Sequence, residues 1–180
     1  MTAANEIMVR MAHNNAWANL RLHRAVGELD DAAYRATRTS FFPSLHLTLS
    51  HILFVDLFYV DALEGGSRGQ TLWPEYEAFD RDGTFAELRE RQRAVDRRLI
   101  TCAARELDDE IRLHRADHVQ VEKRGDVLLH LFEHQIHHRG QAHAMLAGTR
   151  VAPPQLDEFF LREELPLREA ELRELGLPLR

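Results

Sequence analysis

Apolar residues recur at helical spacing in four long stretches of this chain, with breaks between them that mark turns. Ile7, Met11, Ala18, Leu22 and Val26 share one side of a helix predicted over about Asn5–Glu28. The Asp30-Asp31 pair and the polar stretch Arg35–Ser40 follow as a connection. Pro43 followed by Ser44 opens a second helix to about Leu63, ended by Gly65, Gly66 and Gly69. Residues 64–83 read as a loop holding Trp73-Pro74, longer than a helical hairpin needs. Thr84-Phe85-Ala86-Glu87 is a capping-box pattern, and it starts a third helix to about Leu107. Phe85, Leu88, Val95, Leu99 and Leu107 form the inner side of that helix, and arginines largely cover the others.

Between residues 108 and 124 the period shortens. Ile111-Arg112-Leu113-His114 and His118-Val119-Gln120-Val121 alternate, which predicts two short strands or an extended crossover. A fourth long helix runs from about Gly125 to Leu146 and ends near Gly148. Pro153-Pro154 stops regular structure, and a short amphipathic helix returns over Leu167–Leu175. Four long helices without repeated βα units predict an all-α fold. The expected architecture is a four-helix bundle with a long crossover connection, plus a short C-terminal helix. Its 180 residues fit one domain, with a core over about 5–160 and an extension over about 161–180.

Composition narrows the function classes. An apolar fraction of 44% and a charged fraction of 29% suit a soluble globular protein. The net charge of −6, with no basic cluster interleaved with aromatics, argues against a nucleic-acid partner. Lys is nearly absent, and Arg supplies almost every positive charge. The single cysteine, Cys102, excludes an internal disulfide framework and sits near the inner side of the third helix, so a buried packing role is expected. Met1–Leu20 lacks the basic start and apolar run of a signal peptide. The apolar stretch Ile52–Val60 is interrupted by Asp56 and is too short for a bilayer. A cytoplasmic protein without a membrane partner is the expectation.

The candidate chemistry is concentrated in the run Leu128-Leu129-His130-Leu131-Phe132-Glu133-His134-Gln135-Ile136-His137-His138-Arg139-Gly140-Gln141, which holds four of the eleven histidines. His134 and His138 stand one turn apart, about 5–6 Å at Cβ, close enough to reach one ion. With Val127, Leu131, Ala142 and Met145 they occupy a sector of roughly 80°, so two histidines interrupt the stripe that faces the interior. A buried imidazole needs a partner for each ring nitrogen, and a cation supplies one. His51 is the candidate third ligand, on the same predicted face as Leu47, Phe54, Val55, Phe58 and Ala62. Alone, it would read as a core histidine held by a carbonyl or water; the His134/His138 pair reverses that. Three neutral imidazoles leave a coordination position open, as in catalytic zinc sites, and zinc, nickel and iron(II) all accept them.

The other histidines carry weaker signals. His130 and His137 flank the stripe as supporting or helix-contact residues, and His130 is the one that could replace a ligand. His13, His23, His46, His114, His118 and His143 have no spacing argument and are expected at surfaces or interfaces. Asp56 and Glu133 are aimed away from the stripe, which leaves no side chain named as general base; Asp56 suits a salt bridge or helix contact. Arg139 and Gln141 are expected to fix helix packing or order the histidines. The chain contains no His-Glu-x-x-His, no paired Glu-x-x-His units, no phosphate loop, no Gly-x-Ser-x-Gly elbow and no dinucleotide fingerprint.

The run His134–His143 closely resembles the signature of the DinB family, within the wider DinB/YfiT-like metalloenzyme group. Asn15-Ala16-Trp17-Ala18-Asn19 resembles the family's first-helix pattern. Ser40 to His46, Thr48 to Leu53 and Asp56 resemble its second-helix pattern, and Pro153–Asp157 its closing segment. The resemblance spans about residues 8–160. It implies a four-helix bundle with a long crossover and one divalent metal held by three histidines, which match His51, His134 and His138. It also implies dimers formed through exposed helix faces, and relatives that are thiol-dependent transferases or isomerases using low-molecular-weight thiols. The family name records damage-inducible expression. Asn14 stands where the family often has Tyr, and Leu20 and Leu22 stand among more basic residues. Two functions are thus expected in competition. One is a metal-dependent hydrolase or thiol-dependent S-transferase, with zinc or nickel ahead of iron and a small-molecule substrate. The other is a non-catalytic, metal-stabilised stress-response homodimer.

Overall fold

Short polar side chains start most of the helices by accepting from backbone N–H groups that the first turn leaves free. The computed structural model describes residues 2–179. Thr2 caps α1 (Ala3–Val26), Asp30 caps the short α2 (Asp31–Arg35), and Ser44 caps α3 (Leu45–Leu63). α2 occupies part of the segment expected as a bare connection, because the Asp30 carboxylate accepts from Ala33 N at 2.7 Å. Gly65, at φ +90°, turns the chain out of α3 in a conformation that L side chains rarely adopt. Thr84 and Glu87 close the capping box of α5 (Phe85–Ala103).

The region expected as a loop over 64–83 instead holds a 3₁₀ turn, Gly69–Leu72, and a helix, α4 (Trp73–Asp82). Pro74 sits in the first turn of α4, where a missing N–H costs nothing and a fixed φ favours helix. α5 ends at Ala103 rather than near Leu107. Beyond it the backbone bonds elsewhere: Asn5 Nδ2 donates to Arg105 O at 2.6 Å, and Gly125 N donates to Leu107 O at 2.9 Å. The alternation at 108–124 is a hairpin of β1 (Glu110–His114) and β2 (Val119–Lys123), antiparallel from Glu110 opposite Lys123 to His114 opposite Val119. Ile111 and Leu113 turn inward against α3.

α6 (Arg124–Ala147) follows β2 directly, without a side-chain cap. Its first N–H groups go to the carbonyls of Asp109 and Leu107. Buried Arg124 also donates to Leu63 O at 2.8 Å, which ties the start of α6 to the end of α3. α1 packs against α5 and α6, and α3 packs against the same two helices. The fold is therefore predominantly helical, with one two-stranded sheet. α3 is long and apolar enough, by length and composition alone, to cross a membrane, so the apolar run extends beyond Ile52–Val60. It is also the core helix, with Leu45, Leu49, Ile52, Leu53, Val60 and Leu63 buried. Cys102 is buried, as expected.

A second apolar cluster joins α7 (Leu165–Leu175) to α1 through Trp17, Phe159 and Leu172. Trp17 Nε1 donates to Glu171 at 3.2 Å, and Arg21 lies over the Trp17 ring while paired with Glu158 and Glu171. The C-terminal segment is thus docked on α1.

A buried polar network crosses the core. Asp56 on α3 is 1% exposed, and its two carboxylate oxygens accept from Gln135 on α6 at 2.6 Å and Gln92 on α5 at 2.7 Å. Asp96 accepts from Gln92, Asn15 and Asn19, and Arg139 donates to the side-chain oxygens of Asn15 and Asn19. Burial and the neighbouring Asp96 charge push Asp56 up to about 7; burial pushes Asp96 up to about 6 and Arg139 down to about 10. Asp56 is aimed away from the histidines, as expected, and it makes a contact between helices rather than a direct salt bridge.

Candidate metal centre

α3 and α6 pack together, and the residues that meet include the three histidines singled out by spacing. One ring nitrogen from each of His51, His134 and His138 lies within 4.8 Å of the others. His51 Nε2 and His134 Nε2 are 2.9 Å apart. Ring centroids are separated by 4.4 Å for His134 and His138, 4.6 Å for His51 and His138, and 4.9 Å for His51 and His134. His138 is buried, and the other two are half-buried.

Burial penalises the charged ring. It pushes His134 down to about 3, helped by positive charge on His138 and His51, and His51 down to about 4, helped by His138. His138 is lowered as well, mainly by burial. All three rings are therefore neutral at neutral pH, and each keeps a lone pair. Two Nε2 atoms facing each other at 2.9 Å must share a proton or a cation. Three converging neutral imidazoles are a donor set that could hold a divalent ion.

The rings differ in how they are held. His138 Nδ1 lies 2.9 Å from Gln141 Oε1, which can only accept, so the proton sits on Nδ1 and Nε2 is left as donor to an ion. Gln141 is itself oriented, with Nε2 3.0 Å from His137 Nε2. The expectation that Gln141 orders a histidine is realised in this contact, and His137 supports it one step further out. His134 Nδ1, by contrast, is buried with no hydrogen-bond partner among the described residues. Phe42 lies against His51, at 4.3 Å between centroids, and reaches His138 at 5.6 Å.

His51 and His134 also form part of the wall of a cavity of about 270 Å³. α3 supplies Phe54 and Phe58, α4 supplies Trp73 and Tyr76, and the turn of the hairpin supplies Arg115. His130 stands at the same wall, 5.2 Å from the Tyr59 ring and 6.5 Å from the His134 ring. It flanks the cluster and is outside the convergent set.

Two histidines expected at a surface or interface are core residues. His46 is 2% exposed, with its ring nitrogens 2.8 Å from Asp80 O and 3.3 Å from Tyr34 Oη. His23 is 3% exposed against Phe85, and burial pushes it down to about 3. His118 is exposed beside Asp117, His13 and His114 are half-buried, and His143 bonds Pro154 O at 2.9 Å. Sequence reasoning missed Phe42, Trp73, Tyr76 and Arg115. The α4 pair was legible in principle, since Trp73 and Tyr76 are three apart and flank Pro74, a residue that can open a helix.

Neutral imidazoles from two helices, opening on an aromatic cavity, define a candidate histidine metal centre in a helical protein. Sequence comparison places the chain within a family: the model for the DinB family matches residues 1–169, and the protein belongs to that family. It is also similar to a curated protein of Bacillus subtilis (strain 168) described as Protein DinB. The two are 25% identical over 158 residues, which span 83% of this chain and 91% of the relative.

Proposed function

We propose that the protein is a metal-dependent enzyme acting on a small molecule, with His51, His134 and His138 holding one divalent cation, zinc or nickel ahead of iron. The observation that carries this reading is the convergence of three neutral rings in and beside the wall of an aromatic-lined cavity. The reaction it favours is displacement at an electrophilic carbon. The sulfur of a low-molecular-weight thiol forms the S–C bond as the bond from that carbon to its leaving group breaks. The leaving group departs with the electron pair, and the thiol proton goes to solvent; with water in the thiol's place the outcome is hydrolysis. An ion held by His51, His134 and His138 would supply Lewis acidity, which favours the deprotonated form of a thiol near neutral pH. The protein's own side chains do the rest. Gln141 keeps the His138 lone pair facing the centre, Phe42 covers the His51 ring, and aromatic side chains line the cavity beside them. His130 lines the same cavity wall, against the Tyr59 ring.

The same reading treats α1, α3, α5 and α6 as a four-helix bundle, with residues 104–123 as its long crossover. It takes the exposed Leu129 and Ile136 on α6 as part of a homodimer surface, and the lone buried cysteine as suited to the cytoplasm. A second reading, in which the ion only fastens helices, draws on the fact that His51 joins α3 to α6, the same pair that Asp56 and Gln135 join.

The test uses protein made without a histidine tag. Elemental analysis is expected to find one ion per chain, and a panel of thiols with electrophiles is expected to show turnover that His138→Ala loses. Equal turnover by the two proteins overturns the enzyme. Melting that depends on the metal, with no turnover anywhere in the panel, selects the fastener.

A further inference from the structure

We propose that the cavity beside the histidines is a carboxylate-anchored site. Arg115 would take the carboxylate of a small substrate, the aromatic walls its apolar body, and the histidine end its reacting carbon. Only that last assignment rests on reading the histidines as a metal centre. Among the described residues lining the cavity, Arg115 is the one permanent charge, and no carboxylate lines it. No described carboxylate pairs with Arg115 elsewhere either. Its Nε donates to Gln120 Oε1 at 3.1 Å and its Nη2 to Tyr59 Oη at 3.3 Å. The guanidinium carbon lies 4.9 Å from the Phe58 centroid and 5.7 Å from the Tyr59 centroid.

A guanidinium has five N–H donors, and these two neutral partners use two of them. The plane is fixed by its stacking and bonding, yet its charge is uncompensated beside a largely apolar space. That is a setting in which a planar carboxylate gains charge-assisted, bidentate hydrogen bonds. A single arginine, with no lysine nearby, favours a monoanion over phosphate. A cavity of about 270 Å³ lies at the small end of ligand sites, which admits a phenyl ring on a short chain and excludes nucleotides.

The test is calorimetric titration with hydrocinnamate, its amide, acetate and inorganic phosphate. It is run on wild type, Arg115→Gln and Arg115→Lys, each zinc-loaded and chelator-stripped, with circular dichroism to check folding. Stripped wild type is expected to bind hydrocinnamate about tenfold or more tighter than the amide. That ratio is expected to fall near one in Arg115→Gln, with amide affinity unchanged, and to survive in part in Arg115→Lys. Equal binding of acid and amide by wild type overturns the inference, as does phosphate binding tighter than the acid. A preference for the acid that needs zinc and persists in Arg115→Gln puts the carboxylate on the ion instead, which overturns the inference while sparing the metal reading. A preference present in stripped protein that binds no zinc upholds the Arg115 site and removes the metal reading.

Discussion

Two polar clusters meet on α6 at neighbouring residues, and they are completed in opposite ways. Gln135 and Arg139 reach into a closed network in which Asp56, Asp96, Gln92, Asn15 and Asn19 satisfy one another almost entirely. His134 and His138 reach a cluster of neutral donors that face each other, lie beside a cavity and include a buried nitrogen with no partner among the described residues. The first kind of cluster fixes helix register, because nearly every group has an internal answer, with Gln135 Oε1 the exception among the described residues of the network. The second is left incomplete, as a ligand site must be.

The sharpest way to break this contrast is Arg139→Ala, which removes the cation from the closed network. It leaves the buried Asn15 and Asn19 oxygens without their donor, at about 1–3 kcal/mol for each group left unsatisfied, and takes a cation away from the two buried carboxyls. Urea unfolding is expected to show that loss. On the open side, His51→Ala should leave the chelated protein close to wild-type stability and abolish the response to metal. Wild type should gain about 2.7 kcal/mol when free zinc is a hundredfold above its dissociation constant, read as a rise in melting temperature. A rise of equal size in His51→Ala contradicts the site.

Gln141→Leu tests the tautomer rather than the ligand. Zinc affinity is expected to fall about 10–100-fold, as for other hydrogen-bond partners of metal-bound histidines, with unfolding in chelator nearly unchanged. The gentlest probe is pH. The folded protein keeps the Asp56 proton up to about pH 7, whereas the ordinary value is 3.8. More protons are therefore bound folded than unfolded in that window, and this contribution is full below about pH 4 and drains away as pH rises through about 7. Relative to Asp56→Asn, in chelator, wild type should lose at most about 1.4 kcal/mol per pH unit across that range. Gln135, whose Oε1 is buried without a partner, can turn to accept from the new amide.

The long helices were legible because their apolar faces repeat and their starts carry Ser44 or the Thr84–Glu87 box. α4 was hidden because all of 64–83, with Trp73-Pro74 inside it, was read as a loop, when a proline in the first turn is also a helix start. The histidine cluster was legible from one helix and one apolar face. His46 and His23 were not, since no local spacing shows that a distant carbonyl or aromatic ring will cover them. The closed network left a trace that was overlooked as a whole: Asn15 and Asn19, Gln92 and Asp96, and Gln135 and Arg139 are each one turn apart on different helices. Arg115 left no trace, because its role depends on the hairpin folding back over α3.

The consecutive positions of His134 and Gln135 couple the two clusters mechanically. Sliding α6 by a single residue would unseat the Asp56 hydrogen bond and misdirect the imidazole in the same motion. The closed network therefore works as a jig: it holds the three ring nitrogens at a spacing that could take an ion, so that capture of a cation would not have to wait for the helix to find its place.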